Sequence, residues 1–322
     1  MRGSLCRRYG RAARGLYFEG HLKGVALMAE IDVCVCTFRR PSLADTLRSL
    51  ALQTARQQHT IRIVIADNDV TREAEAAIVA ICQQLGLPFT YVHAPARNIS
   101  IARNACLDAA QAEFAAFIDD DETAEPNWLA DLHDFLVQHE ADVVFGPVDA
   151  IYPPDTAPWL RQWAFHASQP VVRDGKPIET GYTSNVIFRR AVIGGLRFDP
   201  AFGRTGGEDT MFFHALFQRS ARLAYCPAAR VREPVAIERT HMSWILRRAY
   251  RSGETHGIML TSYRRWWLRE FAVASAKAGY CLANVAVRWP LGGAWQRYLA
   301  RAALHVGVAA RTLDGKKAPT LS

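Results

Sequence analysis

The feature that most limits what this chain can fold into is an alternation. Between Ile31 and Phe145, short apolar β-rich runs take turns with segments whose apolar residues recur at helical spacing. Ile31–Cys36, Ile61–Ala66, Phe89–His93, Phe114–Ile118 and Val143–Phe145 read as strands. Behind Pro41, Leu43, Leu47 and Leu50 share one helix face; Ala74, Ile78, Ile81 and Leu85 share another. Ile99–Ala110 reads as a third helix, and Trp128, Leu129, Leu132, Phe135 and Leu136 mark a fourth behind Pro126. Strands joined by helices of this length require right-handed crossovers, hence a mostly parallel sheet covered on both faces. The fold class is therefore α/β. After Gly146 the alternation lapses. Residues 147–183, rich in Pro, Asp and aromatics, read as a loop-dominated binding region. Val186–Arg189 reads as a further strand, Gly206–Arg219 as a turn into a helix, and everything from Met242 onward as helical.

Charge divides the chain. Arg239–Ser322 holds 14 Lys+Arg against 3 Asp+Glu, whereas residues 1–238 hold 25 against 28. A basic tail on a near-neutral body points to a polyanionic surface, nucleic acid or anionic lipid. In the tail, "RRWWLREF" and Trp289 flank an apolar run that Lys277 interrupts, and no uncharged apolar run reaches the ~18 residues of a spanning helix. The pattern fits a helix lying at a membrane interface, with a core helix as the alternative. No motif supports nucleic-acid binding. Seven cysteines, an odd number without CxxC spacing, fit a reduced, cytosolic setting. Residues 1–27 read as a basic, disordered leader and leave Met1 and Met28 both open as the start. The expected organisation is that leader, a catalytic body over 28–238, and a basic helical region over 239–322.

The chemistry concentrates where apolar runs end in acids. "FIDDDE" leaves the fourth strand with Asp119, Asp120, Asp121 and Glu122 in a row. Ligands of an open α/β sheet sit beyond the carboxyl ends of its strands. Adjacent carboxylates there repel unless a cation compensates, so Asp119 and Asp121 are candidate oxygen ligands for a hard divalent ion. The plainer reading is that these acids cap the helix after Pro126. "GGEDTMFF" sets Glu208 and Asp209 at a helix start behind two glycines, as a general base or as an acidic first turn. Asp67 ends the second strand in "DND", either to meet a nucleotide or simply to turn the chain.

In order, "IDVCVCTFRRPSLADTLRSLALQT", "VIADND", "NISIARNACLDAA", "FIDDDE", "TSNVIFRR" and "GGEDTMFF" resemble the family 2 glycosyltransferases of GT-A fold over residues 30–235. The wording is most similar to the succinoglycan-type glucosyltransferases of bacterial exopolysaccharide assembly. The resemblance implies a Rossmann-like, mostly parallel sheet with a C-terminal helical extension, and an inverting, metal-dependent hexosyltransferase. It implies Thr37 and Asp67 at the uridine of a UDP-hexose, Asp121 on Mg²⁺ or Mn²⁺, and Asp119 beside the ribose or metal. Asp209 would be the catalytic base and Glu208 its neighbour near the acceptor. Arg103 and Asn104 would position the acids or form an internal bridge, and Asn185 would line the sugar pocket. The implied acceptor is a lipid-diphosphate-linked saccharide at an anionic membrane surface, which places the enzyme on the inner face of the plasma membrane. Asp120, Glu122 and the pair Arg39-Arg40 depart from the family pattern. Two competing readings are a haloacid-dehalogenase-type phosphatase with Asp119 as nucleophile in a DxDxT-like run, and a non-catalytic sugar-binding scaffold.

Overall fold

A computed structural model describes residues 28–263 and 267–314; the expected leader over 1–27 lies outside them. The chain runs β1 (Glu30–Thr37), α1 (Leu43–Ala51), β2 (Thr60–Asp67), α2 (Glu75–Gln84), β3 (Phe89–His93), α3 (Ile99–Ala109) and β4 (Phe114–Ile118). It continues β5 (Thr123–Ala124), α4 (Trp128–Gln138), β6 (Val143–Phe145), β7 (Val148–Ile151), α5 (Pro158–Trp163), β8 (Asn185–Arg189) and α6 (Arg190–Ile193). Then follow α7 (Glu208–Gln218), β9 (Leu223–Tyr225), β10 (Val231–Pro234), α8 (Met242–Tyr263), α9 (Trp267–Arg288) and α10 (Trp295–Asp314).

Seven strands form one sheet in the order β3-β2-β1-β4-β8-β6-β9. β3, β2, β1 and β4 are mutually parallel. Its register explains the core. Along β1, Val33 and Val35 face one side with Ile63, Ile65 and Ala116, against Leu47 and Leu50 of α1 and Leu132 of α4. Cys34, Val64 and Phe117 face the other side, against Cys106 of α3 and Phe212 and Phe213 of α7. Both faces are dry, which is why the strands read as continuous apolar runs.

The sheet is mostly parallel as expected, and two features add to the expectation. The strand after Ser184 is antiparallel to both neighbours, β4 and β6, so the sheet is mixed on that side. Residues 147–183 are not only loop: β7 pairs with β10, and β10 with β5, in a separate three-stranded sheet. The partners of β10 lie about a hundred residues or fewer upstream and share no local pattern with it, so periodicity does not reveal them.

The C-terminal helices pack closely. A Cβ on Gly253 of α8 would lie 2.0 Å from the carbonyl of Leu304, and one on Gly307 of α10 would lie 2.1 Å from that of Tyr250. Bare backbones let α8 and α10 touch. At the amino edge of the sheet, buried Asp32 accepts bonds from Arg62 (2.8 Å to each oxygen), Gln111 N–H (2.6 Å) and Ala112 N–H (2.9 Å). Burial pushes this carboxyl up, but Arg62 and the two N–H groups more than offset it and hold it below the ordinary range. Asp32→Asn keeps the shape and turns an NH₂ toward donors while leaving Arg62 uncompensated. Urea unfolding is expected to show a loss of about 3–5 kcal/mol at pH 7. The wild-type contribution is present above the unfolded pKa near ~3.9 and disappears as pH falls through the lower folded value.

Candidate active site

The chain leaves β1 for β2 and β3 on one side and for β4 on the other, which makes the carboxyl edge between β1 and β4 a switch point. Thr37 and Asp67 end β1 and β2 side by side in register, and both are buried. Just beyond β4, Asp119–Glu122 is a single tight turn. Glu122 N–H donates to the Asp119 carbonyl (3.2 Å), and Asp119 N–H donates to Glu122 Oε2 (2.9 Å). The Thr46 hydroxyl donates to the Glu122 carbonyl at 2.7 Å. Glu122 is therefore the buried closure of the turn. Asp120 turns back to the Thr37 hydroxyl and Phe38 N–H. Arginines face all three aspartates: Arg103 lies 3.8 Å from Asp119, Arg40 lies 3.9 Å from Asp120, and Arg40 and Arg239 lie 3.6 and 3.8 Å from Asp121. The four acids thus separate into two that build the turn and two that leave it. None caps α4, whose N-cap is Asn127 without a side-chain bond, so the capping reading fails.

The second acidic segment is brought to the first by α3. Asn98 caps α3 at Ile101 N–H and donates to the Pro200 carbonyl (2.9 Å); Ser100 donates to that of Asp199 (2.8 Å). Asn104 donates to the Phe198 carbonyl and accepts from Phe198 N–H, both at 2.8 Å. "NISIARN" is therefore a strap that holds residues 198–203 against α3. The strap delivers Gly206 and Gly207, at φ +86° and +100°, to the start of α7. Buried Arg103 then forms an ion pair with buried Glu208. Burial would lower the Arg103 pKa, but Glu208, Asp119 and Asp209 more than offset it and hold the guanidinium charged. Glu208, expected beside the acceptor, is committed to this internal bridge, although its Oε2 has no partner.

Desolvation raises Asp119, Asp120 and Asp209. Asp119 is pushed to about 7, with Asp121 and Asp120 adding to burial against the pull of Arg103. Burial pushes Asp120 to about 6, with Asp121 adding to it and Thr37 opposing it. Burial and Glu208 push half-buried Asp209 to about 6, and Arg103 and Thr210 oppose them. So many carboxyls at one edge call for a cation, and oxygen donors suit a hard one.

One acid escaped sequence reading. Glu233 of β10 is raised by burial and by Asp121, and Arg239 binds it at 2.6 Å. Its strand pairs only with distant segments; the weak alternation Val231, Glu233, Val235 is its one local signal. Arg40 and Arg239 were likewise missed as direct partners of Asp121. Arg39 binds Asp69 (2.6 and 3.1 Å), so of the pair after β1 only Arg40 reaches the acid turn.

Asn185 is tied into the fold. It is the buried first residue of β8, and its amide donates to the carbonyls of Pro147 (2.9 Å) and Ala229 (2.8 Å) and accepts from Trp128 Nε1–H (2.8 Å). With both amide hydrogens and the oxygen engaged, it ties three segments together. Asp67 makes the turn, accepting from Asp69 N–H (3.0 Å), and also accepts from the Tyr91 hydroxyl (2.9 Å). At the far edge of the sheet, His59, His133 and Asp134 gather. His59 Nδ1 accepts from Ala29 N–H, which leaves the proton on Nε2 and no lone pair there for a metal.

Arg103→Met tests the central bridge. It strands Glu208 as an unpaired buried charge and is expected to cost about 3–5 kcal/mol at neutral pH. Adding Glu208→Gln to the same chain should recover part of the deficit in urea unfolding; no recovery would show that packing is the cause.

Comparison with known proteins fits this arrangement. The description "Glycosyl transferase family 2" matches residues 32–196. The chain is 40% identical over 293 residues to the succinoglycan biosynthesis protein ExoM of Rhizobium meliloti, covering 89% of this chain and 94% of that one. It is 24% identical over 247 residues to the glucosyl-dolichyl phosphate glucuronosyltransferase of Haloferax volcanii, covering 71% and 77%. Among solved structures, the mannosyltransferase PcManGT of Pyrobaculum calidifontis in complex with GDP-Man and Mn²⁺ superposes at TM-score 0.60 and 17% identity, over 90% of this chain and 88% of that one. S. aureus TarS in complex with UDP superposes at TM-score 0.51 and 18% identity, over 88% and 90%. These likenesses identify the architecture as the GT-A fold and leave no place for the phosphatase reading. The family description covers half of the chain and a 40%-identical relative aligns along nearly all of it, so this chain belongs to glycosyl transferase family 2 and is a glycosyltransferase.

Proposed function

We propose that this enzyme moves a hexosyl group, glucose in our reading, from a UDP-sugar to a lipid-diphosphate-linked saccharide in bacterial exopolysaccharide assembly, with inversion. The observation that carries this is the acid edge itself. Asp119 and Asp121 face arginines beside Thr37 and Asp67, and Asp209 is drawn to the same edge through Arg103. The similarity to ExoM supports the pathway, and the TarS complexes with UDP and UDP-GlcNAc support a nucleotide-sugar donor. The name of the Haloferax relative supports an acceptor carried on a lipid phosphate.

The oxygen donors favour Mg²⁺ or Mn²⁺, and the Pyrobaculum complex holds Mn²⁺. Asp121, with Asp119 and Glu233 beside it, would hold the ion, which neutralises diphosphate charge when bound. Thr37 and Asp67 lie where the uridine would enter. Arg40 and Arg239 set two further cations against Asp121. Asp209 accepts the proton of the acceptor hydroxyl. That oxygen forms a bond to the anomeric carbon as the bond to UDP breaks, and the single displacement inverts the centre. A carboxylate near pKa 6 is a stronger base than an exposed aspartate yet remains mostly ionised at neutral pH.

Turnover should therefore fall as pH drops below about 6, as the base takes up its proton. Asp209→Asn should lower transfer ~10²–10⁴-fold with UDP affinity unchanged. Asp121→Ala should remove metal-dependent UDP binding, measured calorimetrically with and without Mn²⁺. Full activity of that variant in excess chelator would overturn the assignment.

We also infer peripheral contact with an anionic membrane through the region beginning at Arg239. No described helix is long and apolar enough to cross a membrane. On and after α9, Leu268, Tyr280, Val287, Trp289 and Leu291 are all exposed, among Arg269, Lys277 and Arg288. Such a surface suits the interface, with about 1 kcal/mol from each nearby basic residue. Co-sedimentation with anionic vesicles should weaken with salt and drop in the double variant Trp289→Glu, Leu291→Glu. Equal sedimentation of both proteins would place the contact elsewhere.

A further inference from the structure

A groove of about 760 Å³ runs between α8, α9 and α10. Trp244, Tyr250, Leu282, Leu299, Ala303 and Val306 give it a mostly apolar lining. Arg247 and Arg251, one turn apart on α8, line it and are exposed; Glu254 is the one acid in the lining, so the charge there is net positive. Its size is that of a site for a small organic ligand, in the range of about 300–1,000 Å³. It is open to solvent at Leu282 and Val306, both exposed.

The groove is joined to the active site through α8. Trp244 lines the groove, and the guanidinium groups of Arg239 and Arg248 lie over its ring, at 5.9 and 5.3 Å. Arg239 in turn meets Asp121 and Glu233. Farther along the same helix, Thr255 packs so closely on Gly207 that a Cβ there would lie 2.5 Å from its hydroxyl. A molecule in the groove therefore lies beside the helix that borders both acid segments. The chemistry is that of an apolar chain ending in anions: hydrocarbon lining, then arginines, then the transfer site.

We infer that this groove takes the hydrocarbon chain of a polyprenyl diphosphate, with Arg247 and Arg251 meeting its phosphates. The inference rests on the lipid-linked acceptor proposed above and names where that lipid is held. The groove makes the enzyme read the carrier as well as the saccharide. A long-chain diphosphate binds better than its headgroup alone, because the chain gives up apolar surface to the groove. The arginines add a salt-dependent part.

The test is equilibrium dialysis of the full chain with labelled geranylgeranyl diphosphate, with UDP binding measured in parallel. Val306→Asp puts a charge into the lining from an exposed position and should weaken the isoprenoid ~10-fold or more while UDP binding is unchanged. Ala303→Trp, which fills the groove, should do the same, with its unfolding midpoint recorded to exclude misfolding. Arg251→Ala should weaken binding and flatten its salt dependence. Two results would overturn the inference. One is wild-type isoprenoid affinity in Val306→Asp. The other is displacement of geranylgeranyl diphosphate by neutral phospholipid vesicles as readily as by itself, which would make the groove a bilayer contact. Failure of the glycosyl-transfer reading would appear instead as absent UDP binding and turnover in the wild type, and would leave the isoprenoid measurement intact.

Discussion

Arg103 is the charge on which the site depends. It is buried in α3, it pairs with Glu208, and it faces Asp119 across 3.8 Å. An unpaired guanidinium at that depth would be costly, and so would Glu208 without it. Together they bring a residue just beyond β4 and the first turn of α7 to one place, though these lie far apart in the chain. The asparagine and serine bonds of α3 then have a clear purpose. They hold the backbone of 198–203 so that α7 begins where Arg103 can reach it.

One cation cannot compensate all the acids gathered there. Asp119, Asp120, Asp209 and Glu233 are all raised above ordinary carboxylates, with burial the largest cause in each. Arg40 and Arg239 stand near Asp121 only at ion-pair distances of 3.6 and 3.8 Å. Such loose pairing suits groups that exchange partners when a diphosphate enters. A surplus of carboxylate oxygens at one edge is the kind of donor set that suits a hard cation.

The helices after Met242 are part of this arrangement rather than an appendage to it. α8 reaches Gly207 through Thr255 and the acid turn through the segment that carries Arg239. α10 packs on α8 where glycines allow the backbones to meet, and α9 packs on α10 and exposes apolar residues. The exposed apolar surface of α9 and the acid edge are therefore linked through α10 and α8.

Much of this was legible in the sequence. The apolar runs and helical spacings place β1 to β4 and their helices, because both faces of a parallel sheet must be buried and the pattern must show it. The acids of 119–121 and 208–209 stand out because charge after an apolar run has to be explained. Other features depended on tertiary structure. Glu122 and Asp120 differ from Asp119 and Asp121 only in which neighbours the turn offers them. The amide of Asn185 finds the carbonyls of Pro147 and Ala229 only in the folded chain. Glu233 and the groove arise from contacts between segments that are remote in sequence. Local periodicity records which face of an element is apolar; it carries no record of which distant charge or carbonyl that element will meet, and that was decided only when the chain closed on itself.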